Sequence, residues 1–422
     1  AGGTMTGNLA TAGITSVTLG SGNFVAGSTA GDSIVSGGDN NTLVGTNAGT
    51  AVTTGDFNTA LGSQALALTN TAGQNTAIGG YAMYYNTTGA NNTAVGLQAL
   101  LDNTTGSNNV ATGKDALANN TTASNNTAVG YFALYSNTTG SSNTALGSDT
   151  LTLNTTGANN TAVGKQALDA NTTGSYNTAV GTNAGDALTT GNSNTMLGFN
   201  SGGATTTASQ NVAVGQSALA TNTTGANNTA VGAQSLIANT TANNNTAVGT
   251  NSLAANTTAS ENTAVGDYAL SANTTGTGNC ALGRQALNNN TTASNNTGMG
   301  LYALYANTTG TANVAVGRSA SEGNTTANSN TSIGYQALKQ TTTGASNVAV
   351  GADALTDNTT GANNTAVGKS ALEVNTTGNG NSSVGNNAGD SITTGENNAF
   401  LGLRAGHTFT TGSNNVCVGY EA

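Results

Sequence analysis

The sequence predicts an all-β protein, a repetitive parallel β-solenoid or β-roll built from coils of 17 residues. Three observations lead there. A glycine recurs every 17 residues from Gly45 to Gly419, through Gly62, Gly79, Gly96, Gly113 and Gly130, giving 23 copies without an insertion or deletion. Only 6% of residues are charged and 4% aromatic, and Pro and Trp are absent, whereas an ordinary globular domain carries about 25% charge. Small apolar residues return on the same beat, while disordered chains are rich in charge and Pro. Low complexity with a strict period is the mark of a solenoid or fibre.

The unit is read with the recurring glycine as position 0. A typical copy runs from Asn86 to Asp102 around Gly96. Position −4 is Asn in all 23 copies, among them Asn41, Asn58, Asn75, Asn92, Asn228 and Asn415. Position −1 is aliphatic or Met in every copy except Thr112, position −2 is usually Ala, +3 is Ala, Ser or Thr, and +4 is usually Leu. Other positions vary. The basic residues Lys114, Lys165, Arg284, Arg318, Lys339, Lys369 and Arg404 all fall at +1, +2 or +5, and the tyrosines at +1, +2, +5 or +6 apart from Tyr176. The variable positions are therefore expected to face solvent or a partner, and −1 and +4 to face a core.

Each element follows from stacking. Seventeen residues cannot bury a core alone, but a strand such as Thr93–Val95 can bond to the coils above and below. Pro would break that ladder. The constant Asn is expected to form an internal ladder, its amide bonding to its copies and to neighbouring backbone; the plainer alternative is that Asn only favours the turn. The glycine marks a corner of positive φ or close approach. Any insertion would stagger every column, so all segments of a coil must be stacked. At about 4.8 Å per coil the copies would make a rod on the order of 110 Å.

Five copies carry Gly at +4: Gly49, Gly185, Gly202, Gly389 and Gly406. Four of them gain an apolar residue at +7, where Asn or Thr is usual: Val52, Leu188, Ile392 and Phe409. Gly202 is followed by Thr205 instead. Side chains three apart on one face imply a bend. Each coil is thus expected to hold one strand at −4 to −1, a Gly corner, a bent segment at +3 to +7 and a Thr-Thr-Gly turn. Residues 41–422 form the shaft, 23–40 an imperfect first coil or cap with Gly27 set 18 residues before Gly45, and 1–22 a leading segment. The absence of an initiator Met suggests a piece of a longer polypeptide.

The formal charge of −10 with 7 dispersed basic residues argues against nucleic-acid binding. No apolar run approaches the roughly 18 residues of a membrane span. No metal spacing, paired carboxylates or phosphate-binding loop is visible, so no enzyme activity, cofactor or metal is expected. His407 reads as a solvated surface residue. Cys280 and Cys417 lie eight coils apart, roughly 38 Å at the strand spacing, too far for a disulfide.

The block Asn91-Asn92-Thr93-Ala94-Val95-Gly96 followed by Ala99 resembles the repeat of YadA-like trimeric autotransporter heads, which are left-handed parallel β-rolls with shorter repeats. The opening Gly2-Gly3-Thr4-Met5-Thr6-Gly7-Asn8-Leu9 resembles a segment of bacteriophage tail fibres, and the arrays resemble those of tail-fibre-domain proteins. These resemblances imply a homotrimeric extracellular fibre, either a virion tail fibre for host attachment or a bacterial surface adhesin. A host cell-surface glycan or protein is a possible partner. Tyr81, Tyr84, Tyr85, Tyr131, Tyr135, Tyr302 and Tyr305 are candidates for carbohydrate contact; the plainer reading is isolated aromatics on a solvated face. Ice binding is disfavoured, because adjacent threonines such as Thr87 and Thr88 point apart.

Overall fold

The backbone groups of 17 residues have few partners within their own coil, so most bond to the next coil or the previous one. Around Gly96, the amides of Leu100, Asp102 and Thr104 donate to the carbonyls of Ala116, Ala118 and Thr121 at 2.8–2.9 Å. Gly96 and Gln98 donate backward to Ile78 and Gly80. Only two short turns close locally, Ala99 to Gly96 and Asn103 to Leu100. An inserted residue would therefore orphan donors throughout the coil, which accounts for the uniform repeat length.

This computed structural model describes residues 20–422; most of the leading segment, residues 1–19, lies outside the described residues. The chain divides into two compact units, Ala1–Ala208 and Ser209–Ala422. Each is a parallel β-solenoid, with no helix among the described residues. Strands occupy −3 to −1, one residue shorter than expected, as in Thr42–Val44, Thr93–Val95 and Val212–Val214. Within each unit, each strand pairs in parallel with its successor one repeat on. Examples are Thr42 with Thr59 and Thr93 with Val110 in the first unit, and Val212 with Thr229 and Ala399 with Val416 in the second. Phe24–Ala26 joins the first stack at an offset of 18, Phe24 facing Thr42. The single extra residue of that copy is accommodated before Asn41, whose amide bonds Oδ1 of Asn23.

The corners need left-handed backbone at three positions besides the glycine. Positions +2, +4 and −5 hold positive φ, as at Gln98 (57°), Leu100 (55°) and Asn91 (58°). No Val, Ile or Thr occupies any of the three in the 23 repeats, and Thr29 (58°), at +2 of the imperfect first coil, is the one exception among the described residues; β-branched residues tolerate this region worst. For Leu at +4 the conformation costs about 1–2 kcal/mol. Burial of the side chain contributes about 1.5–3 kcal/mol, so burial wins and Leu persists.

The core differs from expectation at one column. Position −2, not −1, points inward: Ala60, Ala94, Ala128 and Ala230 are fully buried, while Leu61 and Leu401 at −1 are about half exposed. Strand residues alternate faces, so −4 and −2 face the core with +3, +4 and +7, and −3 and −1 face outward. Valine was a misleading cue, because a β-branched residue also suits an outward strand position.

This reversal explains the glycines at +4. Three copies place a large side chain at −2: Leu43, Met196 and Phe400. Each meets Gly at +4 in its own coil and in the coil before it, where Leu would otherwise stand: Gly49 and Gly31, Gly202 and Gly185, Gly406 and Gly389. A Cβ on Gly49 would lie 2.7 Å from Leu43, and one on Gly202 would lie 2.9 Å from Met196. The apolar residues at +7, such as buried Val52, Leu188 and Ile392, fill space beside them. The balance is thus set across three inward columns, and Gly202 with Thr205 no longer stands apart from it.

Candidate functional site

Two columns of buried asparagine line the inside of each unit. In the −4 column of each unit the Asn amide N–H donates to Oδ1 of the Asn one coil back, as from Asn58 to Asn41 at 2.9 Å and from Asn92 to Asn75 at 3.0 Å. Its Nδ2 donates to a carbonyl 14 residues on, Ala72 for Asn58 and Gly106 for Asn92. Asn415 keeps the bond to Asn398 at 2.9 Å but is only partly buried.

A second column at +7 was legible only as a position where Asn or Thr is usual. Its amides bond directly to each other: Asn103 to Asn86 at 2.7 Å, then Asn120, Asn137, Asn154 and Asn171 in turn at 2.8–2.9 Å. Asn239 to Asn324 repeat this in the second unit. Both columns meet on one carbonyl per coil. Gly106 O accepts from Asn92 and from Asn103, each at 2.9 Å. The runs end where the next residue is not Asn: among the described residues, Oδ1 of Asn171, below Leu188, of Asn324, below Thr341, and of Asn375, below Ile392, has no hydrogen-bond partner.

These columns define one test. Asn228 donates to Asn211 Oδ1 and Ala242 O, and its own Oδ1 accepts from the Asn245 amide. Asn228→Leu leaves buried groups unpaired at about 1–3 kcal/mol each. Chemical denaturation is expected to show a loss of about 3 kcal/mol, while Gln234→Ser at an outward position leaves stability within about 0.5 kcal/mol.

Of the tyrosines singled out, the structure groups them within coils. Tyr81, Tyr84 and Tyr85 are contiguous, with ring centroids 5.7 and 4.6 Å apart. Tyr131 and Tyr135 flank Phe132 at 4.4 and 4.7 Å, and Lys114 Nζ lies 5.4 Å from the Tyr131 ring and 3.0 Å from Asp115. Tyr302 and Tyr305 meet edge to face at 5.6 Å. Burial raises the carboxyls of Asp102, Asp169 and Asp186 above their ordinary range; Asp149 adds to the effect at Asp169, and Asp169 to that at Asp186.

The outward strand face carries a different pattern. Position −1 faces outward yet is apolar along both units; most of its valines are half-buried, while Leu61, Leu146, Leu197, Leu282, Ile333 and Leu401 are at least 40% exposed. Among the described residues no group of three or more His, Cys, Asp or Glu could hold a metal ion. Cys280 and Cys417 are free thiols, and His407 is exposed with Nδ1 3.0 Å from Arg404 O. No helix of the described residues is long and apolar enough to cross a membrane. No protein-family model matches this chain, and no curated protein is similar to it at a significant level.

Proposed function

We propose that this chain is the non-enzymatic structural shaft of an extracellular fibre, a bacteriophage tail fibre engaged in host attachment, in which three copies pack through the outward strand face. The observation that carries this reading is the −1 column. A position that faces outward in the single chain, half-buried at most valines and exposed at Leu, Ile and Met, and still aliphatic or Met in 22 of 23 copies is under a demand for apolarity that solvent does not make. Monomeric proteins rarely expose apolar patches beyond a few hundred Å², and this column runs the length of each unit. Further copies would cover it, and threonine at −3 beside it suits a packed sheet surface. The resemblance of Gly2–Leu9 to tail-fibre segments favours the phage fibre over a bacterial surface adhesin.

Sedimentation or light scattering is expected to give three times 40.8 kDa. Val231, Val248 and Val265, stacked in register at −1, are then replaced together by Glu. The triple variant is expected to keep its β spectrum and lose the trimer. A wild-type chain that stays monomeric in dilute solution overturns the reading.

A further inference from the structure

We infer that the groove walled by Asn47, Gln64 and Tyr84 binds a neutral saccharide. This deepens the host-attachment reading, since it names a ligand class and a place on the shaft. Four successive coils line the groove, the first through Ser33. Position +2 contributes Asn47 and Gln64 in line, and +5 contributes Thr50, Ala67 and Tyr84. The open groove has a volume of about 330 Å³, with Leu68 among its lining residues. Ala67 is the reason for the space, because its small buried side chain separates Thr50 from the Tyr84 ring.

The chemistry selects the ligand. Asn47 Oδ1 accepts from the Thr29 hydroxyl, which fixes the amide and leaves Nδ2 free to donate. The half-buried Gln64 carboxamide has no hydrogen-bond partner among the described residues and can both donate and accept, the pairing that a vicinal diol requires. Tyr84 offers an aromatic face for the C–H side of a pyranose. Its ring packs 5.7 Å from the Tyr81 ring and 4.6 Å, edge to face, from the Tyr85 ring, so little rotamer freedom is lost on binding. Among the described residues no charged side chain lines this groove, whereas two comparable grooves are lined by Asp56 and by Glu322 with Lys339. A neutral sugar is therefore favoured over an acidic one, whose charge would find no cation here.

The repeat supplies variants that the fold already accepts. Ala occupies +5 at Ala67, so Tyr84→Ala is structurally neutral. Ser occupies +2 at Ser217 with φ 53°, so Gln64→Ser is too. The full chain is screened on immobilised neutral and sialylated oligosaccharides, and bound sugars are titrated by calorimetry. Binding of a neutral oligosaccharide is expected, weakened roughly tenfold or more by Tyr84→Ala and by Gln64→Ser and unchanged by Tyr268→Ser. No neutral sugar bound, preference for sialylated sugars, or equal affinity in all variants overturns the assignment. The same samples are weighed by sedimentation. A monomer that still binds the sugar refutes the fibre alone, and a trimer that binds none refutes the site alone.

Discussion

Gly232→Ala is expected to destabilise the chain by about 3–5 kcal/mol, more than any other single methyl addition outside the glycine column. Gly232 holds φ 134°, a region L-residues rarely enter. An added Cβ would sit 2.5 Å from the Gly249 carbonyl oxygen and 2.6 Å from its carbon. Both atoms are backbone, and the Gly249 amide is itself bonded to Val231 O at 2.7 Å, so neither side can retreat without breaking the stack. Gly225→Ala makes the control. Its Cβ would also crowd a neighbouring carbonyl, yet Ala stands at the equivalent Ala242 and Ala259, so the coils can shift there. What differs is φ, which lies outside the left-handed region at Gly225. Thermal and denaturant unfolding should place Gly225→Ala within about 1 kcal/mol of the parent. Equal losses at both sites would mean that the corner glycine is not conformationally required.

The contrast shows which parts of the fold were readable from the chain. The period, the stacking, the parallel strand and the Asn column at −4 could be inferred because each rests on a residue that does not change. The orientation of the strand could not. Ala at −2 and Val at −1 are both apolar, and apolar content alone does not say which faces inward. The decisive clue was the covariation of Leu43, Met196 and Phe400 with paired glycines at +4, a relation between columns rather than within one. The left-handed positions were legible in principle, through the absence of β-branched residues at +2, +4 and −5. They were masked because Gln, Asp and Tyr at +2 also suit a solvated surface. The tyrosine groove was half visible. The sequence put Tyr81, Tyr84 and Tyr85 on one face, but the free Gln64 amide and the space left by Ala67 depend on how three coils align.

Removal of residues 290–306, one whole period inside the second unit, is expected to leave a protein whose melting temperature stays within a few degrees of the parent. Asn289 then joins Asn307, and every column continues: Asn279 and Asn313, at −4, stand where Asn279 and Asn296 stood. The energy of such arrays is a sum of neighbouring interfaces, so the loss is one interface among many. Removal of residues 290–297 alone should behave differently. The shortened coil has nine residues to cross a perimeter that takes 17, and the chain cannot span it while its donors reach the coils on both sides. The Asn290 and Asn296 amides are lost, so Asn273 Oδ1 and Asn279 Oδ1 lose their donors, and the junction must tear away from one neighbour. Cleavage there under limited proteolysis is expected to rise about hundredfold, equivalent to about 3 kcal/mol of opening free energy. Both deletions remove similar composition and differ only in phase. Equal protease resistance would therefore mean that the coils are not held by their columns, and the architecture described above would fall with it.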